Sequence, residues 1–182
     1  MTRRAALGVS VLLLAAAPVA AVEPGKGTIR FAPADDAAQN VPERYRMPAR
    51  DFEYELKSRF EMPHVGVAVF NLTFPSPVKS TVAANDTVHA EYYVPMAAAP
   101  GAKVPAVVVL DILDGRGTVA RGMSVWLAQH GVGALYVYMA HYGPRRAPGS
   151  NVRLISTDVE RTFDGIRQSV LDCRVAAAWL AA

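Results

Sequence analysis

The chain has 182 residues, 52% of them hydrophobic, and a formal net charge of +3. Arg3 and Arg4 lie in an N-terminal segment that is predicted to be removed, so the rest of the chain is close to neutral. Its Lys and Arg residues are scattered rather than clustered, so we expect no nucleic-acid partner. The single cysteine, Cys173, excludes a disulfide within the chain.

Residues 1–21 have the pattern of a secretory signal peptide. Arg3 and Arg4 precede an apolar run from Ala5 to Ala17, and small residues precede a predicted cleavage site after Ala21. A membrane anchor is the alternative interpretation, but the run is shorter than the roughly 20 residues of a spanning helix. We therefore expect an exported protein, periplasmic or secreted, with no stable membrane anchor.

Residues 22–50 are rich in Ala, Pro, Asp and Gly and lack apolar periodicity, which predicts an extended leader or linker. Residues 51–182 are predicted to form the domain. Its first part contains three segments in which apolar and polar residues alternate, so it predicts three antiparallel strands. These segments are Phe52 to Phe60, Val65 to Phe74 (with a change of parity at Asn71 that predicts a bulge) and Thr87 to Val94.

The stretch from Val104 to Gly115 contains four consecutive aliphatic residues, Val107 to Leu110, which predict a strand buried on both faces at the centre of a parallel sheet. A helix from Thr118 to a C-capping Gly131 follows, and Val132 to Met139 predicts the next buried strand. A strand, helix and strand of this length form a right-handed crossover, which makes the two strands parallel neighbours.

Thr157 and Glu160 are spaced as a capping box that begins a helix running to Ala182. Its apolar residues recur at intervals of three and four, so they are predicted to pack on the sheet. These residues are Val159, Phe163, Ile166, Val170, Cys173, Ala177 and Leu180. The predicted fold class is therefore α/β, with antiparallel strands leading into a parallel sheet flanked by helices.

In order along the chain, Val107 to Gly115, Trp126 to Gly131, Ala134 to Met139 and Asp172 to Leu180 together resemble the N-terminal half of α/β-hydrolases. The resemblance is greatest to the dienelactone hydrolase and acetyl xylan esterase branch and covers Phe52 to the end. It implies an incomplete α/β-hydrolase domain and a parent enzyme that hydrolyses a small-molecule ester without a cofactor.

In that family the nucleophile lies on a Gly-x-Ser-x-Gly turn after a helix like the last one here, and the acid and histidine follow later. No such motif occurs in the 182 residues, and Ser124 lacks the second glycine. Cys173 lies on the apolar stripe of a helix and is predicted to be a core residue. We therefore expect the N-terminal portion of an exported serine hydrolase, inactive by itself.

The resemblance also implies the site residues. The backbone N–H of Ile112, or of Leu113, corresponds to one oxyanion donor, and Asp111 to a carboxylate that helps to position the nucleophile; a turn-forming role is the alternative for Asp111. His141, Arg145 and Arg146 are candidates for substrate binding, the arginines by forking onto a carboxylate. The alternatives are a locally bonded loop histidine and a solvated arginine pair.

His64 and His89 lie in the predicted antiparallel strands with no carboxylate or cysteine at ligand spacing, so no metal site is predicted. A second functional class also fits the sequence: a complete, non-enzymatic extracytoplasmic binding module on an α/β scaffold, because fold does not fix function.

Overall fold

The computed structural model describes residues 23–33, 40–97, 103–112 and 116–182. The predicted signal peptide, residues 1–21, lies outside them. The described residues form one sheet of six strands with two α-helices. In chain order these are β1 (Gly25–Phe31), β2 (Arg50–Met62), β3 (Val67–Pro75), β4 (Thr87–Pro95), β5 (Ala106–Leu110), α1 (Thr118–Gln129), β6 (Gly133–Val137) and α2 (Val159–Ala181).

The order of strands in the sheet is β1-β2-β3-β4-β6-β5. Only β5 and β6 pair in parallel, and the other neighbouring pairs are antiparallel. The predicted fold class, antiparallel strands leading into a parallel sheet as in the N-terminal part of an α/β-hydrolase, is therefore wrong. The described chain is a mixed, mostly antiparallel sheet, in which the single crossover through α1 yields a single parallel pair.

Strand β5 lies at the edge of this sheet and not at its centre. It pairs with β6 alone, and the side chains of Val107 and Leu110 are 39% and 45% exposed. A run of aliphatic residues fits either a central strand or an edge strand, and the sequence pattern does not separate the two. Among the described residues no strand pairs with the other side of β5, so its backbone groups there lie next to exposed apolar side chains.

The antiparallel half of the sheet begins earlier in the chain than predicted. Residues expected to form a leader contain β1, which pairs with β2 along its whole length. The irregularity in the pairing of β2 with β3 lies between Ser58 and Phe60, and not at Asn71. In β1, the side chains of Ile29 and Phe31 are more buried than the charged residues between and before them. This alternation is too short to be recognised within the Pro- and Ala-rich sequence around it.

The helices cover opposite faces of the sheet. Ala120 and Ala128 of α1 pack in one cluster with Ala134 and Tyr136 of β6. The other cluster joins α2 to the side chains of alternate parity, including Leu135 of β6. The core is therefore split into two layers by the sheet.

The buried face of α2 is not the predicted apolar stripe, because Val159, Phe163 and Val170 are exposed. The buried residues of α2 are Gly165, Gln168, Ser169, Leu171, Asp172, Val175 and Ala176. Polar residues occupy this face because they bond to groups at the end of β6 and in the preceding loops. The side chain of Asp158, rather than that of Thr157, caps the helix by accepting a hydrogen bond from the Arg161 amide.

Candidate functional site

The candidate site lies at the carboxyl ends of the parallel strands. Leu110, the last residue of β5, pairs with Val137, the last residue of β6. Asp111 and Ile112 follow the first strand, and the segment leading to His141 follows the second. Carboxyl ends of parallel strands are the usual location of ligand sites in open sheets. The predicted residues Asp111, Ile112 and His141 therefore all follow the carboxyl ends of the two parallel strands.

Asp111 ties the start of the loop after β5 to the start of α1. Its Oδ2 accepts a hydrogen bond of 2.7 Å from the Gly117 amide, immediately before the first helical residue. A carboxylate at this end of a helix is stabilised by the partial positive charge of the unpaired amides. The other oxygen, Oδ1, is buried and has no hydrogen-bond partner among the described residues.

Ile112 is next to this anchored carboxylate and is open to solvent. Its side chain is 51% exposed. No hydrogen bond joins its amide to another described residue. A backbone donor in such a position can meet a negative oxygen that develops on a bound substrate.

His141 is held by the side chain of Asn85. The His141 amide donates to Asn85 Oδ1 at 2.8 Å, and the side-chain nitrogen of Asn85 lies 3.1 Å from His141 Nδ1. Burial, with the charges of Arg145 and Arg161, lowers the pKa of His141, so the ring is neutral and accepts this bond at Nδ1. The φ angle of His141 is 66°, a left-handed conformation that its contacts maintain.

The two candidate arginines have different environments. Arg145 is fully buried and donates to the carbonyl oxygens of Tyr138 and Asn85 at 2.9 and 2.8 Å. Its Nη1 also lies 2.8 Å from Asp172 Oδ2, an ion pair that is not aligned as a hydrogen bond. Arg146 is exposed. The arginines therefore do not form a joint fork, and Arg145 is not available to a substrate.

Asp172 is the buried carboxylate that partners Arg145. Its Oδ1 accepts a hydrogen bond of 2.7 Å from Ser76. Burial raises the pKa of Asp172, and the Arg145 charge offsets part of this effect. Nothing in the sequence pattern marks Asp172, which lies outside the predicted apolar stripe of α2.

A second polar cluster, also missed from the sequence, consists of Glu91, Arg59, Tyr93, Arg121 and Tyr138. Glu91 is 2% exposed and accepts hydrogen bonds of 2.7 and 2.6 Å from Tyr93 and Tyr138. Arg121 adds bonds from Nε and Nη2 at 3.0 and 2.9 Å, and Arg59 completes the cluster. Burial would raise the pKa of Glu91, but these donors lower it to about 2.

The remaining sequence candidates offer no nucleophile. Burial raises the pKa of Cys173 to about 12, so its thiol stays protonated. Ser124 is buried and donates to the Ala120 carbonyl one helical turn earlier. Among the residues that the structure describes, no group of three or more His, Cys, Asp or Glu is placed to hold a metal ion.

Comparisons with known proteins assign no family. No protein-family model matches the chain, and no curated protein matches it. None of the helices formed by the described residues has the length and apolar character needed to cross a membrane.

Proposed function

We propose that this chain forms part of an exported enzyme that hydrolyses a carboxylic ester or related acyl bond. The loop after β5 contributes one backbone donor for the oxyanion, the amide of Ile112. The observation that carries the proposal is the anchored start of this loop. Asp111 is fixed by the Gly117 amide, and the neighbouring Ile112 amide has no partner among the described residues.

The chemistry follows from the environment of that amide. When water or a nucleophile attacks an acyl carbon, negative charge develops on the carbonyl oxygen, and a fixed N–H donor stabilises it more than it stabilises the substrate. The amino-terminal end of α1 lies beside the loop and favours negative charge. Arg146 is exposed, with its Nε 3.5 Å from the His141 carbonyl oxygen, and supplies a cation for an acidic substrate group.

We assign no nucleophile within these 182 residues, because their sequence contains no Gly-x-Ser-x-Gly motif. Reading the gene beyond the codon for Ala182 tests this point. An open reading frame that encodes this motif within about 20 residues supports the proposal, because a Gly-x-Ser-x-Gly turn that carries a nucleophile follows a strand. An immediate stop codon contradicts it and favours the non-enzymatic binding module.

The oxyanion assignment is tested in the enzyme that contains this chain. Ile112→Val keeps the amide and is expected to leave turnover near wild type. Ile112→Pro removes the donor and is expected to lower turnover by about a hundredfold to a thousandfold. Circular dichroism checks that the proline variant is folded. Full turnover in a folded Ile112→Pro enzyme would show that this loop is not the oxyanion loop.

Export rests on the N-terminal pattern of Arg3, Arg4 and the apolar run that follows. Expression of the whole chain in a bacterium and N-terminal sequencing of the product provide the test. The expected product is found outside the cytoplasm and begins at Val22. An uncleaved cytoplasmic product would contradict export without affecting the proposed chemistry.

A further inference from the structure

Two buried polar atoms near the candidate site have no hydrogen-bond partner among the described residues. They are Oδ1 of Asp111 and the hydroxyl of Tyr136, a side chain that is fully buried. A buried polar group without a partner costs free energy, so each such group in a folded protein requires an explanation. One of these atoms only accepts hydrogen bonds and the other can donate.

Both residues meet at Gly117. The Gly117 amide donates to Asp111 Oδ2 at 2.7 Å, and a Cβ atom at Gly117 would lie 2.8 Å from the Tyr136 hydroxyl. The same point is 3.2 Å from Nη1 of Arg121. Gly117 has a φ of 76°, so both its conformation and its close neighbours require glycine. Polar groups from β6, α1 and the loop after β5 therefore surround this glycine.

The Tyr136 hydroxyl has the protonation state of a hydrogen-bond donor. Burial, followed by the negative charge of Asp111, raises the pKa of the Tyr136 hydroxyl well above its ordinary value. The hydroxyl therefore remains protonated.

We propose that a single buried water molecule joins Tyr136 to Asp111. The Tyr136 hydroxyl donates to the water, and the water donates to Asp111 Oδ1. Arg121 Nη1 is a third polar neighbour, and buried waters have about three partners. Tyr136 is then a positioning residue for the start of the loop after β5. Its effect on hydrolysis rests on the proposed function, whereas the water and the link do not.

A pair of Tyr→Phe variants tests the link. Tyr136→Phe is expected to lower the folding equilibrium constant about 5-fold, the effect of losing one net hydrogen bond. Tyr92→Phe is the matched control, because the Tyr92 hydroxyl is also buried and unpartnered among the described residues, but burial alone, with no contribution from a charged group, raises its pKa. It is expected to leave the folding constant unchanged or to raise it. Equal effects of the two substitutions would overturn the proposal.

The Asp111→Ala background separates the link from a general effect on packing. In that background Tyr136→Phe should no longer change the folding constant, since the partner of the water has been removed. Hydrogen exchange of the Gly117 amide, measured by NMR, should accelerate in Tyr136→Phe and remain unchanged in Tyr92→Phe. An undiminished effect in the Asp111→Ala background, or unaltered exchange at Gly117, would contradict a positioning role.

The proposed water molecule can be observed directly by NMR in the wild-type chain, at low protein concentration. An NMR cross-peak between a long-lived water and the Gly117 amide is expected. Its absence, or a crystal structure in which the Tyr136 hydroxyl bonds directly to a protein atom, would overturn the proposal. None of these measurements depends on ester hydrolysis, so they can fail while the proposed function stands, and the reverse.

Discussion

Replacing Glu91 with glutamine removes the negative charge that Arg59 and Arg121 share. The side chain keeps its size and one acceptor oxygen, so the substitution tests charge with little change in shape. Two arginine head groups then face each other without a buried counter-ion. Removing one partner from a buried ion pair typically costs about 3 to 5 kcal/mol, and we expect the lower end of this range because the side chains of Arg59 and Arg121 are 35% and 38% exposed to solvent.

The lowered pKa of Glu91 reflects the same contacts. It is lowered from 4.5 to about 2, which at about 1.4 kcal/mol per pH unit corresponds to about 3 kcal/mol. Because the folded-state pKa is the lower one, this stability is complete above the unfolded pKa near 4.5 and is lost as the pH falls through the folded pKa near 2.

Urea unfolding at a series of pH values provides the assay. The gap in unfolding free energy between wild type and Glu91→Gln is expected to be about 3 kcal/mol near neutral pH and to close towards about pH 2. Asp172 responds with the opposite sign, since burial raises its pKa, but it is common to both proteins and cancels in the difference.

Glu55→Gln, on β2 of the same sheet, is the matched control. Glu55 pairs with Lys26 and Lys57 in partly exposed salt bridges. Such bridges contribute little, so this substitution should alter the acid profile much less. A gap between wild type and Glu91→Gln that stays constant from neutral to acid pH would refute the reasoning from the Glu91 cluster.

The other predictions concern activity, association and the buried arginine. The chain by itself is expected neither to hydrolyse p-nitrophenyl acetate nor to be labelled by a serine-reactive fluorophosphonate, and stoichiometric labelling would contradict this. Leu110→Lys places a charge on the open edge of β5 and should reduce the aggregation seen in size-exclusion chromatography. Val159→Lys, on α2, should reduce it less. Equal effects of the two substitutions would mean that the edge of β5 is not the cause of aggregation. Arg145→Met should cost about 3 to 5 kcal/mol in urea unfolding at neutral pH and less in acid, because Asp172 then takes up a proton; exposed Arg146→Met should show neither effect, and a loss from Arg145→Met that is independent of pH would argue against an ion-pair role.

The sequence was informative about individual elements and much less about their arrangement. Alternation in Thr87 to Val94 predicted β4 to within one residue, and the crossover length correctly predicted that β5 and β6 are parallel neighbours. The position of β5 in the sheet depends on which strand pairs with β4, a long-range choice that local patterns do not encode. Strand β6 takes that place.

The polar residues of the core were hard to predict for a related reason. Periodicity places charged residues on the solvent side of an element, and nothing in the local sequence distinguishes Glu91, Asp172 or Arg145 from surface charges. Each of these residues is buried because it pairs with an opposite charge that is distant in sequence. Glu91 pairs with Arg121, and Arg145 pairs with Asp172. For the candidate site, the sequence predicted the edge at which Asp111, Ile112 and His141 lie but not the partners of His141.

Helix α2 also has a consequence for the order in which the chain can fold. Arg167 donates to the Arg44 carbonyl, 123 residues earlier, and Arg174 to the Tyr45 carbonyl, 129 residues earlier. Leu171 and Val175 complete the core layer over β2, β3 and β4. Contacts with such large sequence separation form slowly because a long loop must first be closed. Until α2 packs, the apolar face of β1 to β4 that it covers stays exposed to solvent, so we expect the chain to depend most on a chaperone before that step.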